Sequence, residues 1–383
     1  MTAEPLRSTI DSQNPLAAIL AARIRSTGPI TFAEFMRESL YHPEHGYYSR
    51  ANAARFGDYY TSVDVHPIFG RLLARQLAEM WQTLGSPNPF LVVEAGAGVG
   101  RLASHVLEFS ARALPDFYSS LRYVAAERSA GRWAKQAFVL SDRITAGKCW
   151  CTDEIPREIS AGCIFSNELL DALATHRVMM VDGKLRESFV GLEGGDFVEV
   201  FCDPSTPMLE VYFREQGITL EEGWQAEVCL EACDWIEQAG RALQRGFVLS
   251  IDYGHEALAL YSERHNRGTL LAYRNHQVTE NLLDHPGGQD LTSHVNLTAV
   301  DHWGRRAGLE RTGVVTQSQF LVALGRANEF GDLYEPGETE IEKLRARLQL
   351  KNLIHPEGLG ETFQVLVQHK GMAVPRLTGL LGF

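Results

Sequence analysis

The chain has 383 residues, a formal net charge of −12 at pH 7 and a hydrophobic content of 45%. This composition is typical of a folded protein with material for a sizeable core, and the negative charge disfavours nucleic acid as a partner. No apolar run approaches the roughly 20 residues of a membrane span. Residues 1–25 include the acids Glu4 and Asp11, which argues against a mitochondrial presequence. We therefore expect a cytoplasmic protein without a membrane span.

Cysteine and histidine spacing gives no indication of a metal site. The six cysteines include no C-x-x-C pair, so zinc-ribbon spacing is absent and reduced thiols are expected. Six histidines follow one another at wide intervals in the second half of the chain: His255, His265, His276, His285, His294 and His302. This spacing matches no compact ligand pattern, so we predict no bound metal.

Three helices are predicted before the first strong strand signal. Apolar residues at helical spacing indicate Pro15–Arg25, Thr31–Leu40 and Ile68–Leu84. Thr31 and Glu34 have the spacing of a capping box, and aromatic, turn-rich stretches lie between the second and third helices. We expect residues 1–85 to form an N-terminal helical cap with a loop tip.

The stretch from Phe90 to Leu102 predicts a buried strand, a tight turn and the start of a helix. Four apolar residues lead into Glu94, and Gly96, Gly98 and Gly100 follow at alternate positions. The spacing is G-x-G-x-G and differs from the G-x-G-x-x-G of dinucleotide sites. The motif resembles the first motif of class I methyltransferases, which bind S-adenosylmethionine.

Strand and helix signals then alternate, which predicts a parallel sheet with helices on both faces. The predicted elements are Leu121–Ala126, Trp133–Leu140, Lys148–Cys151, Cys163–Ser166, Trp224–Leu243, Phe247–Ile251 and Leu297–Ala307. We expect an α/β fold in which residues 86–383 form a doubly wound, mostly parallel, Rossmann-like domain. A β-hairpin insertion is predicted at 175–224, and a long irregular insertion at 253–296 has the length of a lid.

Five stretches in order along the chain resemble the signatures of the MidA family of class I methyltransferases: Gly57–Ser62, Glu94–Leu102, Asn167–Leu173, Ile251–His255 and Gln289–Val295. The mitochondrial members of that family assist respiratory complex I assembly and methylate an arginine in one of its subunits. The chain has Val-Asp-Val-His at 63–66, where the family usually has Pro-Glu-Ile-Ser. The departure leaves the identity of the substrate more open than that of the cofactor.

The resemblance implies S-adenosylmethionine as cofactor and a set of residues that hold it. Glu94 is expected to fix the glycine turn, and Glu127, after the next strand, to bind the ribose hydroxyls. Asp153 would hold the adenine amino group, with a loop acid or a helix cap as the alternative. Asn167 should point into the crevice beyond the strand ends. The motif of residues 57–62 adds Thr61 and Ser62.

Four residues are predicted to act on the substrate. Glu168 and Asp171 could orient a guanidinium, whose pKa above about 12 requires carboxylate partners. The alternative role of this pair is to cap the following helix. His255 is the expected general base by residue type, and Asp290 could close the pocket from the lid together with Gln289.

The function predicted from the sequence is methyl transfer to an arginine side chain of a protein partner. An O-methyltransferase that esterifies a small carboxylic acid is the second enzyme hypothesis. A non-catalytic assembly chaperone that binds S-adenosylmethionine belongs to a different class, and an NAD-dependent dehydrogenase is disfavoured by the glycine spacing. A homodimer remains open.

Overall fold

The computed structural model describes residues 5–49, 63, 66–274, 277–279, 281–335, 337–355 and 359–381. The α-helices in chain order are α1 (Pro15–Thr27), α2 (Phe32–Tyr41), α3 (Ile68–Thr83), α4 (Arg101–Ala113), α5 (Pro115–Ser120), α6 (Ala130–Val139), α7 (Ser141–Thr145), α8 (Met208–Glu215), α9 (Leu230–Ala242), α10 (Ala257–Leu260), α11 (Leu297–Arg306), α12 (Gln317–Arg326) and α13 (Glu340–Ile354). Among these described helices, none has both the length and the apolar character that crossing a membrane would require.

The strands in chain order are β1 (Arg7–Ser8), β2 (Ile30–Thr31), β3 (Phe90–Ala95), β4 (Leu121–Ala126), β5 (Cys149–Thr152), β6 (Gly162–Asn167), β7 (His176–Val181), β8 (Lys184–Glu193), β9 (Asp196–Cys202), β10 (Gln225–Val228), β11 (Gly246–His255), β12 (Leu271–Arg274), β13 (Gln277–Thr279), β14 (Asp290–Thr292), β15 (Val295–Asn296), β16 (Glu310–Thr316) and β17 (Phe363–Lys370).

The chain divides into two compact units that do not follow the predicted boundary at residue 85. The first unit comprises Met1–Tyr59, Leu170–Asp234 and Gly254–His302, and the second comprises Tyr60–Leu169, Trp235–Tyr253 and Trp303–Phe383. Helices α1 and α2 therefore belong to the first unit, whereas α3 belongs to the second. The reason is hydrophobic burial, because the apolar residues of α3 lie in one core cluster with those of β3 and α4.

The second unit contains the predicted parallel sheet. Its strand order is β16–β17–β11–β6–β3–β4–β5, in which β3, β4, β5, β6 and β11 run parallel. Strand β17 is antiparallel to both β11 and β16. Ala95 pairs with Ala126 on one side and Ser166 on the other. The carboxyl ends of the central strands are therefore level, and the residues that follow them share one edge of the sheet.

The first unit contains a mainly antiparallel sheet with the order β1–β9–β8–β7–β10, and β2 pairs with β8. The predicted insertion at 175–224 thus contributes three consecutive antiparallel strands, β7, β8 and β9. The helix predicted at Trp224–Leu243 is wrong in its first turn. Residues Gln225–Val228 form β10, which pairs with β7, and the helix begins only at Leu230. Pairing with a neighbouring strand outweighed local helix propensity here.

The capping box predicted at Thr31 is confirmed. The Thr31 hydroxyl accepts a hydrogen bond from the Glu34 N–H, and the Glu34 carboxylate accepts one from the Thr31 N–H. Helix α2 begins directly after Thr31, one residue later than the predicted helix start. The loop tip predicted for the N-terminal segment extends into residues 50–62, which lie outside the described residues.

Residues 253–296 contain more regular structure than the sequence predicted. The segment includes α10 and the three-stranded sheet β13–β12–β14. Ala272, Leu283 and Leu291 are fully buried and belong to the same core cluster as residues of α1 and α2. The polar loop composition concealed these positions, because a few widely separated apolar residues supply the packing.

Candidate functional site

The turn between β3 and α4 requires its three alternating glycines. Gly96, Gly98 and Gly100 have φ angles of 75°, 57° and 80°, all in the left-handed region that favours glycine. The Gly96 N–H and the Ala97 N–H both donate to the carbonyl of Ala126. The turn is therefore fastened to the carboxyl end of β4.

The three glycines differ in what surrounds them. A Cβ on Gly96 would lie 3.0 Å from Cδ1 of Leu169, and a Cβ on Gly100 would lie 2.9 Å from Cδ1 of Leu140. A Cβ on Gly98 would meet no described atom within 4 Å. Gly96 and Gly100 thus serve close packing, whereas Gly98 faces open space in which a ligand could lie.

Glu94 stabilises the turn by accepting hydrogen bonds from two neighbouring elements. Its Oε2 accepts a hydrogen bond of 2.7 Å from the Tyr123 hydroxyl, and it also accepts one from the Ala103 backbone near the start of α4. Gly100, the residue that precedes this helix, has no side chain to cap it, so Glu94 satisfies an amide of the first turn instead. Burial, with a smaller contribution from Glu127, raises the pKa of Glu94 to about 8.

Glu127 directly follows β4 and bridges two backbone segments. Oε2 accepts a 2.8 Å hydrogen bond from the Gly98 N–H, and Oε1 accepts one of 2.8 Å from the Ser129 N–H. The guanidinium of Arg132 lies 3.5 Å from Oε2. An ionised carboxylate has about four acceptor positions, so Glu127 can accept further hydrogen bonds from a ligand.

The acceptor role of Glu127 bears on the class of ligand. The amides at a glycine turn and helix start usually bind phosphate. Here the Gly98 N–H donates to Glu127, and the α4 amide near Ala103 donates to Glu94. A pyrophosphate would have to displace a buried carboxylate and face its charge. The turn therefore suits an uncharged ribose or a cationic sulfonium better than a dinucleotide.

A second group of polar residues lies where β6 ends beside β11. The Asn167 amide donates a 3.1 Å hydrogen bond to Oε1 of Glu168, and the Asn167 Oδ1 is buried without a hydrogen-bond partner among the described residues. Glu168 has a φ of 51°, which is uncommon for a residue other than glycine. The Leu169 N–H donates to Oδ2 of Asp252, at 3.1 Å. Asp252 thereby fixes the turn that carries Glu168.

The structure adds little about the roles of the remaining predicted cofactor residues, Asp153, Thr61 and Ser62. Asp153 follows β5 at the same sheet edge and is exposed. Thr61 and Ser62 lie outside the described residues. Their roles stay predictions.

The predicted substrate residues fall in different units. Glu168 belongs to the second unit, whereas Asp171, His255 and Asp290 belong to the first. Burial raises the pKa of Tyr273, and the charges of Asp171 and Asp290 raise it further, so both carboxylates lie close to this phenol. The Tyr48 hydroxyl donates a 2.6 Å hydrogen bond to Oδ1 of Asp290.

Gln289 has a structural role in the first unit. Its side-chain amide donates to the backbone carbonyls of Asn281 and Leu282, at 3.2 and 3.3 Å, and the residue is buried. The prediction that Gln289 closes a pocket does not account for these contacts. Its amide instead satisfies two backbone carbonyls of the segment between β13 and β14.

His255 lies in a group of three histidines that the sequence spacing did not predict. Potential ligand atoms of His255, His265 and His294 are all within 4.8 Å of one another. Burial, and then neighbouring cationic groups, lower the pKa of His255, and they lower that of His294 to about 4. These two rings are therefore neutral at pH 7. The three residues are distant in sequence because they come from different elements.

Three residues that support the turns were not predicted as part of the site: Tyr123, Arg132 and Asp252. Tyr123 is interior to an apolar strand and gave no signal. Asp252 directly follows the apolar run of β11, as Glu127 follows β4, so the same reasoning about strand ends would have found it.

A family model described as "Putative S-adenosyl-L-methionine-dependent methyltransferase" matches residues 72–315, well over half of the chain. The protein arginine methyltransferase NDUFAF7 homolog, mitochondrial, of Drosophila melanogaster is 29% identical, over 94% of this chain and 86% of the relative. The human protein arginine methyltransferase NDUFAF7, mitochondrial, is 27% identical, over 91% of this chain and 82% of that protein.

A solved structure has the same fold with a ligand bound. A crystal structure from Burkholderia thailandensis, bound to S-adenosyl-homocysteine, is 28% identical to this chain and superposes with a TM-score of 0.84. The match covers 95% of this chain and 94% of that one. Together the matches confirm the predicted family, the methyltransferase fold and S-adenosylmethionine as cofactor.

The predicted cytoplasmic location is wrong when judged by these relatives, which are named as mitochondrial proteins. The prediction depended on two acids within residues 1–25. The composition of so short a stretch was weak evidence about the compartment, and sequence similarity over most of the chain outweighs it.

Gly98→Ala should weaken the binding of S-adenosylmethionine by at least about tenfold, since a methyl group would occupy the open space at the turn and desolvation of the ligand would be incomplete. Titration calorimetry measures the affinity. Gly147→Ala is the matched control, because Gly147 is also left-handed, at 66°, with no described atom near its Cβ. Both variants carry the left-handed cost of about 1 kcal/mol. Equal affinities in the two variants would place the ligand elsewhere.

Glu94→Gln should reduce the pH dependence of stability. Because the folded pKa of Glu94 is raised to about 8 from 4.5, the folded state retains a proton that the unfolded state has released. Wild-type stability therefore falls as the pH rises between these two values, by roughly 1.4 kcal/mol per unit of pKa difference. Urea unfolding at a series of pH values should show a flatter profile for Glu94→Gln.

The exposed Glu154 provides the control for this measurement, since Glu154→Gln removes the same charge without changing a buried group. Its profile should run parallel to that of the wild type. A Glu94→Gln profile that also runs parallel to the wild type would show that Glu94 is ionised in the folded protein.

Proposed function

The chain belongs to the family of S-adenosyl-L-methionine-dependent methyltransferases whose model it matches, and from this premise we propose that it methylates an arginine side chain of a protein partner. The names of the curated relatives as protein arginine methyltransferases support this substrate class. The observation that carries the proposal is the buried Glu168 carboxylate, held in a left-handed conformation at the end of the central strand β6.

The cofactor is assigned to the edge of the sheet where the glycine turn lies. Glu127 has acceptor positions for ribose hydroxyls, and the space beside Gly98 allows the ligand to approach the backbone. When bound, the cofactor supplies an electrophilic methyl group on a sulfonium. The protein's own contribution is to place a nucleophile in line with that group and to exclude water.

Glu168 has the properties that orientation of a guanidinium requires. A carboxylate can hold a guanidinium in a planar, two-point hydrogen-bonded pair, which fixes the direction of the attacking nitrogen. The Asn167 amide donates to Oε1 of Glu168 and so restricts the rotation of the carboxylate. A strained backbone at a strand end is costly and is typically retained where function requires it.

The alternative role of Glu168, as a cap, has less support. Only a three-residue 3₁₀ helix, Leu170–Ala172, follows it. The Leu169 N–H, at the turn before this helix, donates to Asp252. The helix that Glu168 could cap is therefore a single short turn, and Asp252 already holds the backbone that leads into it.

The same edge disfavours a carboxylic acid as substrate. Glu127 follows β4, Glu168 follows β6 and Asp252 lies near the carboxyl end of β11, all in one sheet, and a further anion would be repelled by their charges. The esterification of a small carboxylic acid would require a cationic group at this edge that is not paired with an acid. Arg132, one of the arginines in the segments that follow these strands, already lies near Glu127.

Asp171 and Asp290 are proposed, from the first unit by itself, as further acids that bind a cationic substrate. They lie in the first unit around Tyr273, and Asp171 is buried. The backbone carbonyl of Asp171 accepts a hydrogen bond from the Ser293 N–H, which anchors the residue to the loop between β14 and β15. A buried acid and a half-buried acid beside a phenol suit a cationic side chain and its alkyl stem.

Glu168→Gln should leave the affinity for S-adenosylmethionine near that of the wild type and reduce methyl transfer by orders of magnitude, because the lost charge acts on the substrate and not on the cofactor. The assay supplies S-adenosylmethionine with a deuterated methyl group and an extract of cells that lack the protein. Mass spectrometry should find the label on arginine with the wild type. Label on carboxylates, or no label on protein, would contradict the proposal.

Glu154→Gln is the control for this variant, since Glu154 is an exposed acid after β5 in the same unit. It should retain both binding and transfer. If Glu168→Gln lost cofactor affinity and activity in equal measure, Glu168 would be a cofactor residue and the guanidinium role would fall.

The substrate lid expected at residues 253–296 can be tested by hydrogen exchange. The burial of Ala272 and Leu291 predicts that amides of β12 and β14 are already protected in the ligand-free protein, to an extent similar to those of α1. That result would identify a packed insertion. Protection that appears only with S-adenosyl-homocysteine and an arginine peptide, and not in α1, would establish a lid.

A further inference from the structure

Three histidines of the first unit form a compact cluster that methyl transfer does not require. We propose that His255, His265 and His294 bind one divalent transition-metal ion, of which zinc fits the ligand set best. Neutral imidazole nitrogens are common zinc ligands, and sites with three protein nitrogens leave a fourth position for water.

The geometry requires only a small contraction of the cluster. The potential ligand atoms lie within 4.8 Å of one another, whereas the nitrogens around a tetrahedral zinc ion are about 3.4 Å apart. Ring centroids of His255 and His265 are 5.1 Å apart, and those of His255 and His294 are also 5.1 Å apart. Side-chain rotations that move each nitrogen atom by less than about 1 Å would bring the three nitrogens to coordination distance.

A hydrogen bond already sets the orientation of one ring. Nδ1 of His265 lies 3.1 Å from the backbone carbonyl of Ala259. If Nδ1–H donates to this carbonyl, Nε2 carries the lone pair and points away from the backbone. Histidine ligands typically have such a partner on the nitrogen that does not hold the metal.

The composition of the cluster is suited to a cation. His255, His265 and His294 are all partly buried and have no carboxylate among the three, so the ligand set is of imidazole nitrogens alone. Arg264 is the opposing group, since its charge acts on the rings of His255 and His294. The Arg264 side chain is exposed, and solvent and salt therefore screen its effect.

A metal ion at the proposed site would cross-link a segment that consists mainly of short helices and strands. His255 ends β11, His265 ends the 3₁₀ helix Glu263–His265, and His294 lies between β14 and β15. One ion would connect these three points within the first unit. The assignment also replaces the predicted role of His255 as general base, because a nitrogen that holds a metal cannot accept a proton.

The test is zinc binding by the full chain after treatment with a chelator. Titration calorimetry should find one Zn²⁺ ion per chain, and zinc should raise the temperature of thermal unfolding. His265→Asn and His255→Asn should each weaken zinc binding by at least about 100-fold and abolish the thermal shift, since each loses one of three ligands. His285→Asn is the matched control and should behave as the wild type. His285 is an exposed histidine of the same segment whose left-handed φ of 43° asparagine tolerates.

Two results would overturn the proposal. Zinc binding that is absent or not stoichiometric in the wild type would mean that the histidines only pack against one another. Binding of equal strength in all variants would mean that zinc binds adventitiously at other side chains. If the cluster variants fail to fold, the visible absorption spectrum of Co²⁺ added to the wild-type protein tests the site instead. A tetrahedral site gives intense bands, and the weak spectrum of aqueous Co²⁺ would contradict the site.

Discussion

Two buried acidic side chains, a protonated Glu94 and the carboxylate of Glu127, hold the turn after β3, and the arrangement of the second unit's site depends on them. Glu94 accepts hydrogen bonds from Tyr123 and from the first turn of α4, and Glu127 accepts them from Gly98 and Ser129. The three left-handed glycines allow the backbone to follow this path. Amides that would otherwise attract a phosphate are thereby used inside the protein. A glycine turn of this kind favours a ligand that brings hydroxyl donors and positive charge.

Acidic residues also lie further along the carboxyl edge of the parallel sheet. Glu127 and Glu168 each directly follow a strand of the parallel sheet, and Asp252 lies near the carboxyl end of β11, at the edge where ligands of such sheets bind. Asp252 holds the turn that carries Glu168, so a structural acid positions the acid assigned to the substrate. An edge built in this way attracts cations, and this is why a guanidinium suits it better than a carboxylate.

Features set by short stretches of sequence could be predicted, and those set by distant contacts could not. The capping box at Thr31, the strand before Glu94 and the parallel sheet all follow from local spacing. The place of α3 in the second unit depends on packing between helices and strands far apart in the chain. Residues 225–228 form a strand because β7 lies beside them, which no local pattern records. Local propensity is a weak prior that tertiary contacts override.

The residues of the candidate site also divide into those set by local sequence and those set by distant contacts. Glu94 and Glu127 could be predicted because each ends a strand with a clear apolar pattern. Asp171 and Asp290, which lie around one tyrosine, are 119 residues apart in the chain, and no spacing rule joins them. The cluster of three histidines could not be predicted for the same reason. Their proximity depends on the fold of residues 254–296 and not on the number of residues between them.

The central claim is that the carboxylate-held turn binds an adenosyl ligand and not a dinucleotide. The most direct measurement is a thermal-unfolding titration of the wild-type protein with S-adenosylmethionine, S-adenosyl-homocysteine, NAD and NADP in parallel. The account predicts that both adenosyl ligands raise the unfolding temperature with increasing concentration and that neither dinucleotide does. Stabilisation by NAD or NADP, without stabilisation by S-adenosyl-homocysteine, would contradict it.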